Sequence, residues 1–227
     1  MTVAGSLVER LQALLERTYR LESGVRDIGR FIIGDEGYRA IYGWRRVVTS
    51  AGEADPDGAR TLVRETPEGV RLRIYYPDRL IRRLEAHPPE RGVTEENVEP
   101  FATLVEELDH FLCIAERAAS ARSSTLLELE LHANVSKHLV LSRFAAGASR
   151  RLGADRRAWL RRRLFDDGVD TRLDSAARAR YRDAAALAIS FLGSIEELPA
   201  LRRVETLRRF HRLPSAGKLD LISDLRG

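Results

Sequence analysis

The sequence predicts a mainly α-helical, multi-helix bundle carrying a small N-terminal β-hairpin. Three observations carry that expectation. Helix caps recur along the chain, with apolar residues three and four apart behind them. A single segment, Val70 to Tyr76, alternates apolar and polar residues with the period of a strand. Of the 227 residues, 44% are hydrophobic, enough to give helices a common core.

Ser6 and Glu9 have capping-box spacing ahead of Val8, Leu11, Leu15 and Thr18, which predicts an amphipathic first helix stopped by Gly24. Phe31-Ile32-Ile33, between Gly29 and Gly34, is too short to assign by period and is a candidate third strand. Gly34-Asp35-Glu36-Gly37 reads as a turn, and the Gly, Asp and Pro cluster from Ala51 to Gly58 as a loop. Thr66-Pro67-Glu68-Gly69 places Pro second and Gly fourth in a type I turn, so Thr61 to Glu65 pairs with Val70 to Tyr76. A lone hairpin is marginal in water, so its apolar face has to rest on helices. A short helix from Asp78 ends before His87-Pro88-Pro89, because the residue before a proline is pushed out of the helical region.

The rest is helical. One helix starts near Asn97, with Pro100 tolerated in its first turn, and continues to Ala119. Thr125 and Glu128 form a second capping box for a helix running to Gly147. The short link between the two makes them antiparallel neighbours. Asp155 caps a segment through Trp159 and Leu164, closed by Asp166-Asp167-Gly168. Asp174 or Ser175 opens an Ala-rich helix ending at Gly193. Ser194 and Glu197 signal another start, shifted by Pro199, and Leu201, Val204, Leu207 and Phe210 continue it to Pro214. A last helix covers Lys218 to Leu225. The chain reads as a single domain over 1–227, with a subdivision into 1–92 and 93–227 as the alternative.

Charge is uneven. Residues 1–121 hold 17 Arg and no Lys against 21 acids, a balance of −4, whereas residues 122–227 hold 21 cations against 13 acids, a balance of +8. Of 38 cations 36 are arginine, a preference most simply read as a GC-rich coding sequence, so arginine richness alone argues little. The longest stretch without a charged residue is the twelve from Ala184 to Ile195, short of the roughly 20 a bilayer span needs. No signal peptide is expected, and the single cysteine, Cys113, fits a reducing compartment, so the expected location is the cytoplasm.

The most informative stretch is Phe101 to Phe144. In its first helix Phe101, Leu104, Val105, Leu108, Leu112 and Ala115 share one face; Glu106, Glu107, His110, Cys113 and Ile114 lie on the other. The second helix is apolar on two faces, Leu127, Leu131, Val135 and Leu141 on one and Leu129, Ala133, Val140 and Phe144 on the other, as in a helix buried mid-domain. Asn134 and His138 are therefore the polar side chains expected to leave water. Antiparallel pairing sets Glu106 level with His138, Glu107 with Lys137 and His110 with Asn134. Such a layer is satisfied internally, with Asn134 and Lys137 as partners, or holds a metal ion on Glu106, Glu107, His110 and His138. Glu107-x-x-His110 has the spacing of carboxylate-bridged sites in helical bundles, but occurs once where a di-metal site needs it twice. A mononuclear Zn, Mn or Fe site stays open, and a divalent ion is the cofactor it would take. Cys113 reads as a small core residue.

Arg150, Arg151, Arg156, Arg157, Arg161, Arg162 and Arg163 place seven positive charges in fourteen residues beside Trp159, opposed only by Asp155. Arg156, Arg157, Arg161, Arg162 and Arg163 with Trp159 form a candidate nucleic-acid surface; the plain alternative is a solvated helix paired with Asp166, Asp167 and Asp170. Arg202 to Arg212 belongs first to an amphipathic helix. No phosphate-binding glycine loop, dinucleotide fingerprint, H-E-x-x-H, nucleophile elbow or C-x-x-C occurs. Asp109, His132 and Ser136 lack the elbow and oxyanion donors of a hydrolytic triad. The expectations are a cytoplasmic helical interaction or adaptor protein with a protein partner or second copy of itself, a helical metalloprotein or metal-dependent enzyme, or a nucleic-acid binder.

Overall fold

A helical hairpin at the centre organises the rest. The computed structural model describes residues 3–42, 48–49, 52–53, 58–67, 69–149, 151–166 and 174–226. Among the described residues are nine α-helices, a three-stranded sheet and a two-stranded ribbon, a mainly α fold with a minor β element. The helices α1 (Val3–Tyr19), α2 (Asp35–Tyr42), α3 (Asp78–Ala86), α4 (Val98–Ala119), α5 (Leu126–Ala146), α6 (Ala154–Phe165), α7 (Ser175–Glu196), α8 (Ala200–Arg212) and α9 (Ser215–Asp224) surround strands β1 (Ile32–Ile33), β2 (Val48–Thr49), β3 (Gly52–Glu53), β4 (Arg60–Thr66) and β5 (Gly69–Tyr75).

The hairpin forms as its turn chemistry dictates. β4 and β5 pair antiparallel with Thr66 opposite Gly69, and Gly69 takes φ 130, open to glycine. β1 adds to β5 in parallel, Ile32 opposite Ile74, giving the order β1-β5-β4. The sheet rests on α4: the Tyr76 hydroxyl donates to the Leu104 carbonyl at 2.7 Å, and Thr61 Oγ1 lies 2.9 Å from the Glu107 carbonyl.

α4 begins after Asn97, whose side chain makes no cap and instead accepts the Thr94 amide and donates to the His87 and Gly92 carbonyls. α5 follows its cap, with Thr125 Oγ1 accepting the Glu128 amide at 3.1 Å. Several other ends differ from the sequence signals. α1 begins at Val3 and passes through Ser6, and it ends where Arg20 takes φ 56 rather than at Gly24. The Gly34–Gly37 turn is the entry to a helix, α2. Asp35 and Glu36 favour its N-terminus. A Cβ at Gly34 would run into the Asp78 carboxylate, which receives the Asp35 amide at 3.2 Å. Asp155 sits in the first turn of α6 behind Gly153 and makes no cap. α7 continues through Gly193 to Glu196, since burial of Leu192 and Ile195 outweighs the roughly 1 kcal/mol that a helical glycine costs. α9 starts at Ser215, which puts Lys218 in its first turn. Of the expected Ala51–Gly58 loop, residues 51 and 54–57 lie outside the described residues, as do Glu68, Arg150, Asp167, Gly168 and Asp170; Gly52 and Glu53 pair with Val48 and Thr49.

One contiguous core joins α1, β5, α3, α4, α5, α7, α8 and α9, centred on Phe101, Leu108, Phe111, Val135, Phe191 and Phe210. α7 packs on α5, and its Ala184 and Ala188, one turn apart, have no solvent exposure. A larger side chain at either has to displace neighbouring core atoms. Ala188→Leu is expected to lower unfolding stability by about 2 kcal/mol through overpacking, read as a lower midpoint in urea with unchanged slope.

Candidate functional site

α4 and α5 are buried on more faces than their apolar stripes require. On α4 Asp109 and Cys113 are buried beside the leucines; on α5 burial is continuous from Glu130 to Ser136. The residues taken into the interior include Glu128, Glu130, His132 and Ser136, whereas Leu127 and Leu129 are only half-buried. Antiparallel pairing then gives three polar clusters.

The innermost surrounds Asp109. Its carboxylate accepts the Ser136 hydroxyl at 2.6 Å and His132 Nδ1–H at 2.9 and 3.0 Å. The Tyr19 hydroxyl lies 2.9 Å from Ser136 Oγ, and His132 Nε2 lies 3.0 Å from Nδ1 of His211 on α8. His211 Nε2 is 2.8 Å from Glu116 Oε2, and the Glu22 amide donates to the other oxygen at 3.0 Å. Burial acts to raise the Asp109 carboxyl, but the His132 and Ser136 donors overcome it and hold the group below the usual range. Burial acts likewise on Glu116, where the His211, Glu22 and Arg122 groups bring it down to about 2. Burial, with the charges of His211 and Lys218, lowers His132 against the pull of Asp109. Asp109, His132 and Ser136 thus meet, but the serine donates to the aspartate and the histidine turns its free nitrogen to His211. A nucleophilic triad needs serine on histidine, so this is not one.

The second cluster holds most of the residues expected from the sequence. Ligand atoms of Glu106, His110 and Glu130 all lie within 4.8 Å of one another. His110 Nε2 is 3.9 Å from Glu130 Oε2, its Nδ1 is 3.9 Å from Glu107 Oε2, and Nε2 is buried without a hydrogen-bond partner. Lys137 donates to Glu106 Oε2 at 2.7 Å and Thr61 Oγ1 is 2.9 Å from Glu107 Oε2; burial with the charges of Glu130, Glu106 and Glu107 raises Tyr181 well above its ordinary range. Burial pushes Glu130 up to about 7, helped by Glu106 and Glu107 and opposed by His110 and Lys137. Burial also raises Glu107. For His110 burial disfavours the cation, yet Glu130, Glu107 and Glu106 together raise it.

His138 is not part of this cluster. Its ring stacks 6.1 Å from Phe165 of α6, its Nδ1 is buried without a partner, and burial with Arg161 and Arg157 lowers it to about 4. Asn134 is buried at 6% exposure. Level arithmetic finds the right layer, since Lys137 meets Glu106 beside its expected partner Glu107, but it carries no information on azimuth. Glu130 was missed because it sits among leucines; the signal was the two-faced apolar pattern of α5, which commits its glutamates to the interior as well.

The third cluster joins three helices. Glu128 pairs with Arg117 of α4 and accepts from Lys218 of α9 at 2.6 Å and Ser215 at 3.0 Å. Lys218 has no solvent exposure and also donates to the Leu213 carbonyl. A separate cavity of about 20 Å³, room for one water, lies between α1, α3 and α4 among Leu7, Val8, Ile81, Leu84 and Leu104, away from all three clusters.

The arginine-rich helix is largely engaged within the chain. Arg156 donates to the Val93 carbonyl and lies over the Trp159 ring, Trp159 and Arg163 both bond Glu95, and Arg157 pairs with Glu196 at 2.7 Å. The charge of Arg161 acts on His138 and that of Arg162 on Glu95. Among the described residues the countercharges include Glu95, ahead of α4, and Glu196 of α7.

Burial acts to raise Glu128, but Arg117 and Lys218 hold it at about 2. A carboxylate lowered from its ordinary value stabilises the fold above that value, and the gain is lost as pH falls toward about 2. Glu128→Gln is expected to cost about 3 kcal/mol at pH 7. In urea titrations the gap to wild type narrows as pH falls below about 4.5.

Comparison of the chain with protein-family models, with curated proteins and with solved structures finds no match, so the chemistry of these clusters is the guide to function.

Proposed function

We propose that the protein binds a divalent first-row metal ion at Glu106, His110 and Glu130, as a metalloprotein or metal-dependent enzyme. The observation that carries this reading is the buried, unpartnered Nε2 of His110 within reach of convergent carboxylates. An imidazole nitrogen in that position normally has a partner, and a metal ion is the partner that carboxylates also favour. Lys137 and the His110 charge balance Glu106, while Glu107 and Glu130 are both raised by burial. A bound cation would relieve that crowding of negative charge.

Two carboxylate oxygens and one imidazole suit Mn²⁺, Fe²⁺ or Zn²⁺ over softer ions. Three protein ligands leave positions for water or a small ligand, as catalytic centres do, and such an ion acidifies bound water or polarises a carbonyl. Around it Thr61 fixes Glu107 and Lys137 fixes Glu106, the kind of outer support that orients ligands. The surface-adaptor reading has no comparable observation behind it. The nucleic-acid reading is weakened by the carboxylates of Glu95 and Glu196 already placed on its arginines.

Calorimetric titration of chelator-treated protein with Mn²⁺ and Zn²⁺ tests the proposal. About one equivalent of Mn²⁺ is expected to bind per chain, and His110→Ala combined with Glu130→Gln is expected to weaken Mn²⁺ binding by at least about tenfold. No Mn²⁺ binding, or equal Mn²⁺ binding by the variant, overturns it.

A further inference from the structure

Two imidazoles face each other at the centre of the molecule with their acceptor nitrogens opposed. The carboxylates of Asp109 and Glu116 take the N–H groups of His132 Nδ1 and His211 Nε2. That leaves His132 Nε2 and His211 Nδ1, 3.0 Å apart, each presenting a lone pair to the other. Two neutral acceptors at that separation repel. The contact is stable only with a positive species in it, either an added proton or a metal ion. Cys113 favours the metal: its sulfur lies 3.4 Å from His132 Nδ1, the nitrogen that Asp109 holds, and one ligand atom each of Cys113, His132 and His211 falls within 4.8 Å of the others.

We propose that Cys113, His132 and His211 form a second, enclosed metal centre for a thiophilic ion of the Zn²⁺ class, with Asp109 and Glu116 orienting its two imidazoles. Its donors are distinct from those of the Glu106, His110 and Glu130 site, and it stands or falls separately. Ligand atoms around tetrahedral zinc lie about 3.3 to 3.7 Å apart, so binding has the imidazole nitrogens part slightly, the rings turn until their lone pairs converge, and the Cys113 sulfur close on them. A carboxylate behind each metal-bound histidine is the usual outer arrangement at zinc. Asp109, 3.9 Å from the thiol, is the nearest further oxygen. Tyr19 and Phe210 cover the histidine rings, at 4.4 and 5.8 Å between centroids from His132. This closes the site to substrate and marks the centre as structural, joining α4, α5 and α8. Binding exchanges the Cys113 thiol proton, released to solvent, for a metal–sulfur bond; nothing is oxidised or reduced. Burial and the Asp109 charge hold the free thiol well above its ordinary value, and a bound dication reverses that preference.

Cobalt(II) is the probe, because a thiolate bound to it gives a near-ultraviolet charge-transfer band that oxygen and nitrogen ligands do not. The reduced full-length chain is treated with chelator and given one to two equivalents of Co²⁺, both in the native state and during refolding from urea, which removes access as a variable. The band is expected in wild type and in Glu130→Gln, and absent in Cys113→Ser, with Zn²⁺ displacing the cobalt and raising Tm only where Cys113 is present. Cys113→Ser changes one atom in a chain that circular dichroism can show to be folded, and His211→Gln serves as the second variant. No charge-transfer band under either loading condition, or an equal band in Cys113→Ser, overturns the proposal and assigns the contact to a shared proton. Loss of Mn²⁺ binding in the His110 and Glu130 variant with the cobalt band intact leaves this centre standing alone.

Discussion

Asp109 is a carboxylate with almost no access to water, fixed near the middle of a helix that is itself buried. A charge in that position is tolerated only if donors replace the water it has lost. The donors come from different parts of the chain. Ser136 and His132 lie on α5, one turn apart, so antiparallel pairing with α4 delivers both at once. Their remaining polar atoms then need partners of their own, which brings in Tyr19 from α1 and His211 from α8. The placement of four helices follows from satisfying one group.

Glu128 imposes the same demand one turn earlier on α5. Arg117 answers from α4, and Lys218 from the first turn of α9. Buried ion pairs of this kind add little net stability over apolar packing, but they discriminate strongly against arrangements that leave one partner alone. The apolar core sets how much of the molecule is buried; the charged groups set which helix lies where. The Glu106, His110 and Glu130 group departs from this pattern. Its polar atoms converge, yet one nitrogen makes no hydrogen bond among the described residues.

Much of this was legible in the sequence, and the limits have physical causes. The β4–β5 hairpin, the third strand, the ends of α4 and the cap of α5 follow from local chemistry that acts within a few residues. Gly34–Gly37 was read as a turn because two glycines in four residues outweigh a short amphipathic pattern, and only the Asp78 carboxylate explains the glycine at 34. Level along the central hairpin was readable from the length of its link. Azimuth was not, because an all-round buried helix has no polar face to point outward, and so His138 was paired with a layer it does not join. His211 was concealed among arginines, though it lies four residues beyond Leu207 on the buried side of α8.

The groups that satisfy the central polar clusters span nearly the whole chain, from Tyr19 to Lys218. During synthesis the α4–α5 hairpin is complete while α8 and α9 are still unmade. Until then Glu128 has Arg117 but lacks its lysine, and His132 lacks its second imidazole, so the hairpin cannot reach its final packing with every buried polar atom satisfied. The polar interior therefore works as a check on completeness: a chain that stops short of residue 218 retains the hydrophobic surface to collapse but leaves Glu128 and His132 short of partners, which favours open, protease-accessible central helices.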